Sequence, residues 1–439
     1  MQGVTFSNWA KTYSCTPRLY YEPTRIEDVM EIVAKAKKER RRVRVAGIGH
    51  SPSTIACTDD FMISLRKMNR ILEIDTKRFT VKFEAGVTVA QLNETLPSHG
   101  MALSNQGSIG DITVAGAIAT GTHGTGVAFG TICSHVLSVD LLLASEKIVE
   151  CSRDVNSDIF HATMCGLGAT GILLSATLQC EPAFHLHQRQ FSSTLQEVLD
   201  NLESLVNSSE HFRFCWYPHT ENVVYWKNSR TSRPPVKCGS WFWDYAIGYY
   251  SLEFMYWLSS FFPSLVPSIA KTYFNLLYKH PREVIDRSDK VFSFECLFKQ
   301  YVMEWAIPRR ETASVLLQLK KWIEESKFPA HFPVEVRFVK AEEFFLSPAY
   351  DRDSCYINIV MYRPYGKDIS HHEYWHAFEK IVLSAGGRPH WAKDHGIRAK
   401  EFAGMYPRFG KYLQVRESVD PNGLFLNEYL EHVLVDESK

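Results

Sequence analysis

Four short stretches hold side chains whose types and spacing could do chemistry. Glu335-Val-Arg337 sets a carboxylate and a guanidinium two residues apart, and in a strand such a pair shares one face. A guanidinium beside a carboxylate can bind a polyol and stabilise an oxygen that gains negative charge. On residue type alone, a cross-strand surface ion pair is the simpler account of the same two residues. His390-Trp-Ala-Lys393 offers an imidazole and an ammonium within one tetrapeptide. His50 stands at the tip of the turn Gly47-Ile-Gly49, directly after the β-branched run Val43–Ala46. It is a single nucleophilic side chain on a turn whose glycines let backbone approach a phosphate. Residues 372–376 read HEYWH. On a helix that spacing puts two histidines on one face as zinc ligands, with Glu373 as general base. Glu379 takes the place where the extended zinc motif needs glycine, and Glu401 is a distant third ligand without a motif of its own. A solvated helix face accounts for HEYWH more simply, and no metal is expected.

These groups need elements to carry them. The turn at 47–49 follows a strand expected over 43–46, and further strands are expected over 79–85, 136–144 and 171–180. Thr24-Arg-Ile-Glu27 reads as a capping box, followed by Ile26, Val29, Ile32, Val33 and Ala36 at helical spacing. Thr88 is expected to cap a second helix that carries Val89, Leu92 and Leu96. The first 182 residues therefore read as a mixed α+β domain, with a boundary near Pro182. A second glycine-rich stretch, SNQGSIGDITVAGAIATGTHGTG, covers residues 104–126. Two such stretches beside strands imply one large phosphate-bearing ligand held by backbone, or else tight turns in an elaborate β-structure. The common nucleotide loops do not fit: Pro52 replaces the last glycine of GxGxxG, and residues 121–126 lack the Lys-Ser/Thr of a phosphate loop.

Bulk properties narrow the class. At 439 residues the chain supports two sizeable cores. A net charge of zero provides no field for nucleic acid, so no nucleic-acid partner is expected. The basic run Lys35–Arg44 reads as the end of a solvated helix. Ten cysteines without CxxC spacing read as mostly buried thiols in a reducing compartment. Residues 254–270 carry no charge over 17 positions but contain Pro263 and Pro267, within an aromatic segment at 241–278. This length sits at the bottom of the spanning range and favours an interfacial anchor.

Read together, the chain resembles the aldonolactone oxidoreductases, a branch of the flavoenzymes with the vanillyl-alcohol-oxidase-type fold. The resemblance spans essentially the whole sequence. It is carried by FSNWAKTY (6–13), GIGHSPS (47–53), ALSNQGSI (102–109), GTHGTG (121–126), SWFWDYAIG (240–248), PVEVRF (333–338), MYRPYGKD (361–368) and GRPHWAK (387–393). It implies a two-domain α+β flavoenzyme. Residues 1–182 would form an FAD-binding domain of the para-cresol-methylhydroxylase type, and 183–388 a substrate cap that includes the apolar segment 241–278. Residues 389–439 would return to complete the FAD domain and the active site.

The resemblance also implies roles for residues. FAD would lie against Val45, Ala46, Gly47, Ile48, Gly49, His50 and Ser51 at its pyrophosphate. It would also meet Ser108, Thr113, Gly116, Ala117, Ile118 and Ala119, with Ile172 at the adenine side, and would be bonded covalently through His50. Glu335 and Arg337 become the substrate clamp, Lys393 reaches substrate oxygen and the flavin edge, His390 sits beside it, and Ser108 faces substrate. Asn358 is a further hydroxyl-binding candidate, while His123 and Trp391 are read as structural. The small residue Gly107 would leave room for O2 at the flavin. The implied reaction is oxidation of L-gulono-1,4-lactone at C2 by FAD and O2, giving a 2-keto lactone that tautomerises to ascorbate, and H2O2. A related lactone dehydrogenase with another electron acceptor is the alternative. Placement at the endoplasmic reticulum membrane is also implied. A single crossing near residue 260 would separate residues 50 and 390–393 across the bilayer, so a monotopic or re-entrant anchor is expected, with a buried helical hairpin or an oligomer contact as the alternative.

Overall fold

The computed structural model describes residues 1–236, 241–294 and 297–435. Ser240 of the aromatic motif, Cys238, Cys296 and the last four residues of the C-terminal segment lie outside the described residues.

The N-terminal domain is built on two sheets. Strands Leu19–Tyr21, Phe61–Ser64 and Val43–Ala46 pair in parallel in that spatial order. Helix Ile26–Lys38 covers them with Val29, Ile32, Val33 and Ala36 buried, the face its spacing predicts. Its cap lies one residue later than the capping box read from Thr24: Arg25 is the cap, and Asp28, not Glu27, accepts its N–H. The apolar stripe begins at Ile26, and the helix starts where that stripe first meets the sheet. A second, antiparallel sheet has the order Ile148–Ser152, Val136–Leu142, Ile172–Gln179, Thr80–Glu84, Ile71–Asp75. The expected strand over 79–85 is shorter because Phe79 takes a left-handed φ of 54°. Helices Val89–Thr95 and Val114–Thr120 are capped by Thr88 and Thr113, whose side chains accept from Gln91 N–H and Gly116 N–H. Arg44 departs from the solvated reading of the basic run. The helix ends at Lys38, and Arg44 lies buried within the strand Val43–Ala46.

After Pro182 the chain leaves these sheets, and from His185 it builds an eight-stranded antiparallel sheet. Its order is Arg282–Arg287, His185–Thr194, Asn222–Thr231, His211–Trp216, Val334–Val339, Ser354–Tyr362, Gln300–Pro308, Arg388–Pro389. Helices Thr312–Ser326 and His372–Ser384 pack on it through Val315, Leu316, Leu319 and Ile323, and through Tyr374, Trp375, Phe378 and Val382. HEYWH lies on the second of these helices. Tyr374 and Trp375 enter the core, while His372, Glu373 and His376 stay exposed, which is the solvated-face reading.

The aromatic segment folds as a helical hairpin on the same sheet. Leu252, Tyr256, Ile269, Ala270, Tyr273 and Phe274 pack against Tyr217, Val224, Val302, Phe332, Val360 and Tyr362. Its far side leaves Trp241, Phe242, Tyr250, Phe254, Phe261 and Phe262 exposed. Among the described residues no helix is long and apolar enough to cross a membrane. The C-terminal helices Ala399–Met405, Phe409–Val419 and Glu428–Leu434 return to the N-terminal domain. Val43 N–H donates to Leu424 O at 2.8 Å, Tyr412 Oη to Gly166 O at 3.0 Å, and Asn427 Nδ2 to Cys57 O at 2.7 Å.

Candidate active site

A cavity of about 340 Å³ runs between the N-terminal domain and the eight-stranded sheet, and one of about 100 Å³ continues it past Gly168 and Gly171. Val45 to Ser51, Ser108, Thr113, Gly116, Ala117 and Ala119 line the first, and Ile118 and Ile172 line the second. All the residues named for the cofactor therefore lie along one channel. The motif around Asn8 holds the turn: Asn8 Nδ2 donates to Ser51 O at 3.2 Å and Trp9 N–H to Gly49 O at 2.8 Å. Arg363 of MYRPYGKD secures that motif in turn, donating to Ala10 O at 2.7 Å. Gly49 needs its left-handed φ of 82°. Gly47 packs so tightly on the helix cap that a Cβ there would sit 2.3 Å from Thr113 Oγ1.

Two features fit this channel to FAD. The N–H groups of Ile48, Gly49, His50 and Ser51 donate to no other described residue, so a row of donors is open to an anion. Arg44 is 5% exposed and donates through Nε to Ile55 O at 2.7 Å, yet among the described residues no carboxylate pairs with it. Burial pushes its guanidinium down to about 10. A buried cation without a carboxylate suits a diphosphate. In the same turn the His50 ring stacks on Trp9 with ring centres 5.4 Å apart. Burial, with help from Lys393 and Lys299, pushes its imidazole down to about 4, so it is neutral and nucleophilic near pH 7.

Three neighbouring strands set the polar wall. Their register aligns Glu335 with Asn358 and Asn358 with Glu304, which makes one row across the sheet. Arg337 lies on the same face as Glu335 and donates through Nη2 to both carboxylate oxygens at 2.8 Å, and to Ser108 Oγ at 2.8 Å. Arg213 Nη1 donates to Glu335 Oε1 at 3.0 Å. Burial would raise the Glu335 carboxyl, but the two guanidiniums hold it below its usual range. Arg337 Nε and Asn358 Oδ1 are buried without a partner among the described residues, as expected of groups that await a hydroxylated ligand.

Lys393, His390 and Ser108 meet in this cavity with Glu335 and Arg337. Glu304 joins them, although the sequence reading did not name it. Its Oε1 lies 3.3 Å from His123 Nε2 and its Oε2 3.8 Å from Lys393 Nζ. Burial opposes its charge, yet His123, Lys393 and His390 together hold the carboxyl well below the usual carboxylate range. The available clue was a single carboxylate in the otherwise apolar strand segment Val302–Ile307. His123, read as structural, lines the cavity beside Glu304 with its ring 3.8 Å from that of Tyr356. Among the described residues, His123, Glu304 and His390 form the one cluster with metal-ligand proximity; there the Lys393 ammonium already faces the carboxylate. Burial pushes His390 down to about 3, and its Nδ1 accepts Ala392 N–H at 3.1 Å. The neutral ring therefore carries its proton on Nε2, as a donor. Trp391 packs, donating to Leu346 O at 2.7 Å.

The sequence model of the D-arabinono-1,4-lactone oxidase family matches residues 176–433, and that of an FAD binding domain matches residues 17–152. The chain is 50% identical to the L-gulonolactone oxidase of Bos taurus over 98% of both chains, and 49% identical to that of Mus musculus over the same shares. It is 32% identical to the L-gulono-1,4-lactone dehydrogenase of Mycobacterium tuberculosis over 98% of this chain and 99% of that one. A solved solvent-stable cholesterol oxidase superposes with a TM-score of 0.81 at 17% identity, covering 98% of this chain and 97% of the other. The last likeness shows the fold.

Proposed function

The chain belongs to the D-arabinono-1,4-lactone oxidase family and is an FAD-dependent enzyme, and from that premise we propose that it oxidises L-gulono-1,4-lactone at C2 and passes the electrons to O2. The observation that carries the reading is the row Glu335–Asn358–Glu304 across the sheet. Arg337 and Lys393 are set beside it, and the row and His50 line one cavity. Bound FAD supplies the hydride acceptor. Arg337 holds Glu335 ionised, so Glu335 can accept the hydrogen bond of the C2 hydroxyl and help remove its proton. Lys393, the Nε2–H of His390 and the guanidinium of Arg337 are donors for the oxygen as charge develops on it. Ser108, fixed by Arg337, and Asn358 are placed to bind the remaining hydroxyls. The reading is tested by adding L-gulono-1,4-lactone in air. One O2 consumed and one H2O2 formed per lactone supports it, and turnover that needs a different electron acceptor contradicts it.

The covalent bond belongs to the same proposal. His50 is neutral, lines the channel, and has its ring held against Trp9, which suits a nucleophile bonded to the flavin ring. Acid-precipitated protein should keep its yellow fluorescence, and His50→Ala should release the flavin to the supernatant. Gly107 lines the cavity beside Ser108, which supports O2 as acceptor; a Cβ there would press on Thr122 Cγ2 at 2.8 Å and shift that part of the wall.

We also propose that the enzyme sits on the endoplasmic reticulum membrane through the hairpin. The exposed face contains Trp241 at 66%, Phe261 at 54% and Phe262 at 58% exposure. Lys367 Nζ lies 3.6 Å from the centre of the Phe261 ring. Aromatic rings flanked by a cation suit the interface between headgroups and acyl chains. The double variant Phe261→Ser/Phe262→Ser should lose co-flotation with phospholipid vesicles and keep its lactone oxidation. Equal flotation of the two proteins would contradict the anchor.

A further inference from the structure

We propose that Cys15 and Cys57 are an oxidation site, at which the hydrogen peroxide made by this enzyme joins the two thiols in a disulfide. The proposal rests on the oxidase reading above for the source of its oxidant. Far apart in sequence, the two cysteines are brought together by the fold. Cys15 ends the short strand Ser14–Cys15, and Cys57 follows the turn Thr54–Ala56. Thr58 N–H, on the residue directly after Cys57, donates to Cys15 Sγ at 3.4 Å. Cys15 and Ala56 pack on one small cluster of Phe6, Ala46 and Met62. The Cys15 sulfur therefore lies against the chain at the residue next to Cys57, and the residue before Cys57 shares its apolar cluster.

Access sets this pair apart. Cys133 and Cys165 have sulfurs 3.6 Å apart, but both residues are completely buried, so a dissolved oxidant does not reach them. Cys15 and Cys57 are half-buried, and Ala56, next to Cys57, lines the channel in which peroxide is released. The two thiols are also unequal. The hydrogen bond from Cys57 outweighs burial and, with that from Thr58, pulls Cys15 down to about 7, while Cys57, as the donor of that bond, is pushed up. Near neutral pH one sulfur is a ready thiolate and the other keeps its proton.

The chemistry balances. The Cys15 thiolate attacks one oxygen of H2O2, the O–O bond breaks, and hydroxide leaves and becomes water with the proton Cys15 gave up. Cys15 is then a sulfenic acid. The Cys57 sulfur attacks the Cys15 sulfur, the S–O bond breaks, and a second water leaves with the Cys57 proton. Two thiols lose two electrons, and one peroxide is reduced to two waters. The bridge ties the N-terminal strand pair to the wall of the cofactor channel.

The test uses the full-length holoenzyme in three arms: lactone in air, lactone in air with catalase, and added H2O2 without lactone. Each is quenched with a maleimide in acid, digested and read by mass spectrometry. The expected result is a cross-linked peptide pair joining Cys15 to Cys57 in the first and third arms, lost with catalase and reversed by dithiothreitol. Cys57→Ser should instead carry a dimedone adduct on Cys15. Maleimide on both cysteines after added H2O2, or no dimedone adduct in Cys57→Ser, overturns the site. A bridge with added H2O2 but none during lactone turnover leaves the site standing and overturns the oxidase reading.

Discussion

Arg337 has two partners in the site: it pairs with Glu335 and bonds Ser108, and its Nε has no partner among the described residues. Removing it leaves a buried carboxylate with only Arg213, a change that costs about 3 kcal/mol when a buried pair is broken. Arg337→Ala should lower kcat/KM for the lactone by at least ~100-fold, and Arg337→Lys should recover only part, because its single nitrogen can stand in for Nη2 but not for the Nε–H as well. Retention of normal kcat/KM in the alanine variant would remove the clamp from the mechanism. Gly107 gives a second prediction at this scale. Gly107→Ala should leave anaerobic reduction by lactone close to wild type and slow reoxidation by O2 several-fold, as read by stopped-flow absorbance. Unchanged reoxidation would show that the cavity wall at Gly107 does not govern access of O2. Much of this scale was legible in the sequence, because Glu335-Val-Arg337 and HWAK carry their spacing within a few residues. Glu304 was not. Its importance comes from His123 and Lys393, which meet it only after three separate parts of the chain have folded together.

Elements decide whether those residues meet. Strands such as Val43–Ala46 and Ile172–Gln179 follow from apolar runs that local sequence displays. The row Glu335–Asn358–Glu304 depends instead on the register of three strands joined by long connections, and no window of sequence contains it. The helix start at Ile26 rather than at a Thr24 cap shows the same limit in miniature, since the sheet beneath chose the first turn. Glu342 is an element-scale tie of this kind. Its buried carboxylate accepts from Thr131 N–H at 2.8 Å, Thr131 Oγ1 at 3.0 Å and Ser134 Oγ at 2.6 Å on one side, and from Ser347 Oγ at 2.5 Å on the other. It thereby joins the N-terminal domain to the loop before the strand Ser354–Tyr362. Glu342→Ala leaves several buried donors unpaired and should cost about 3 kcal/mol or more, seen as a Tm several degrees lower. A Tm within one degree of wild type would show that the tie is redundant.

At the scale of the whole molecule, charge and burial set the response to pH. His331, His390 and His395 are buried deeply enough that each imidazole is pushed down to about 3. The folded protein thus binds fewer protons than the unfolded chain, whose histidines titrate near 6.5, so stability rises with pH across that interval. It is fully present above about 6.5 and is lost progressively as pH falls toward 3. At pH 4.5 each such group removes roughly 2–3 kcal/mol relative to pH 7. The Tm should be level from about pH 7 upward and fall steeply from about 6.5 to 4.5; a Tm unchanged down to 4.5 would mean that these rings are solvated. The fold of the whole was legible from motifs spread along its length, from residue 6 to residue 393, whereas the aromatic face of the hairpin needed the structure to separate its packed side from its open one. The central claim is that this cavity brings a sugar lactone to a flavin held at His50. The most direct measurement is the visible absorbance of the anaerobic holoenzyme on addition of L-gulono-1,4-lactone. Bleaching of the flavin by one equivalent, with colour restored by O2, is the result predicted here; a flavin that dithionite bleaches but the lactone leaves yellow would contradict it.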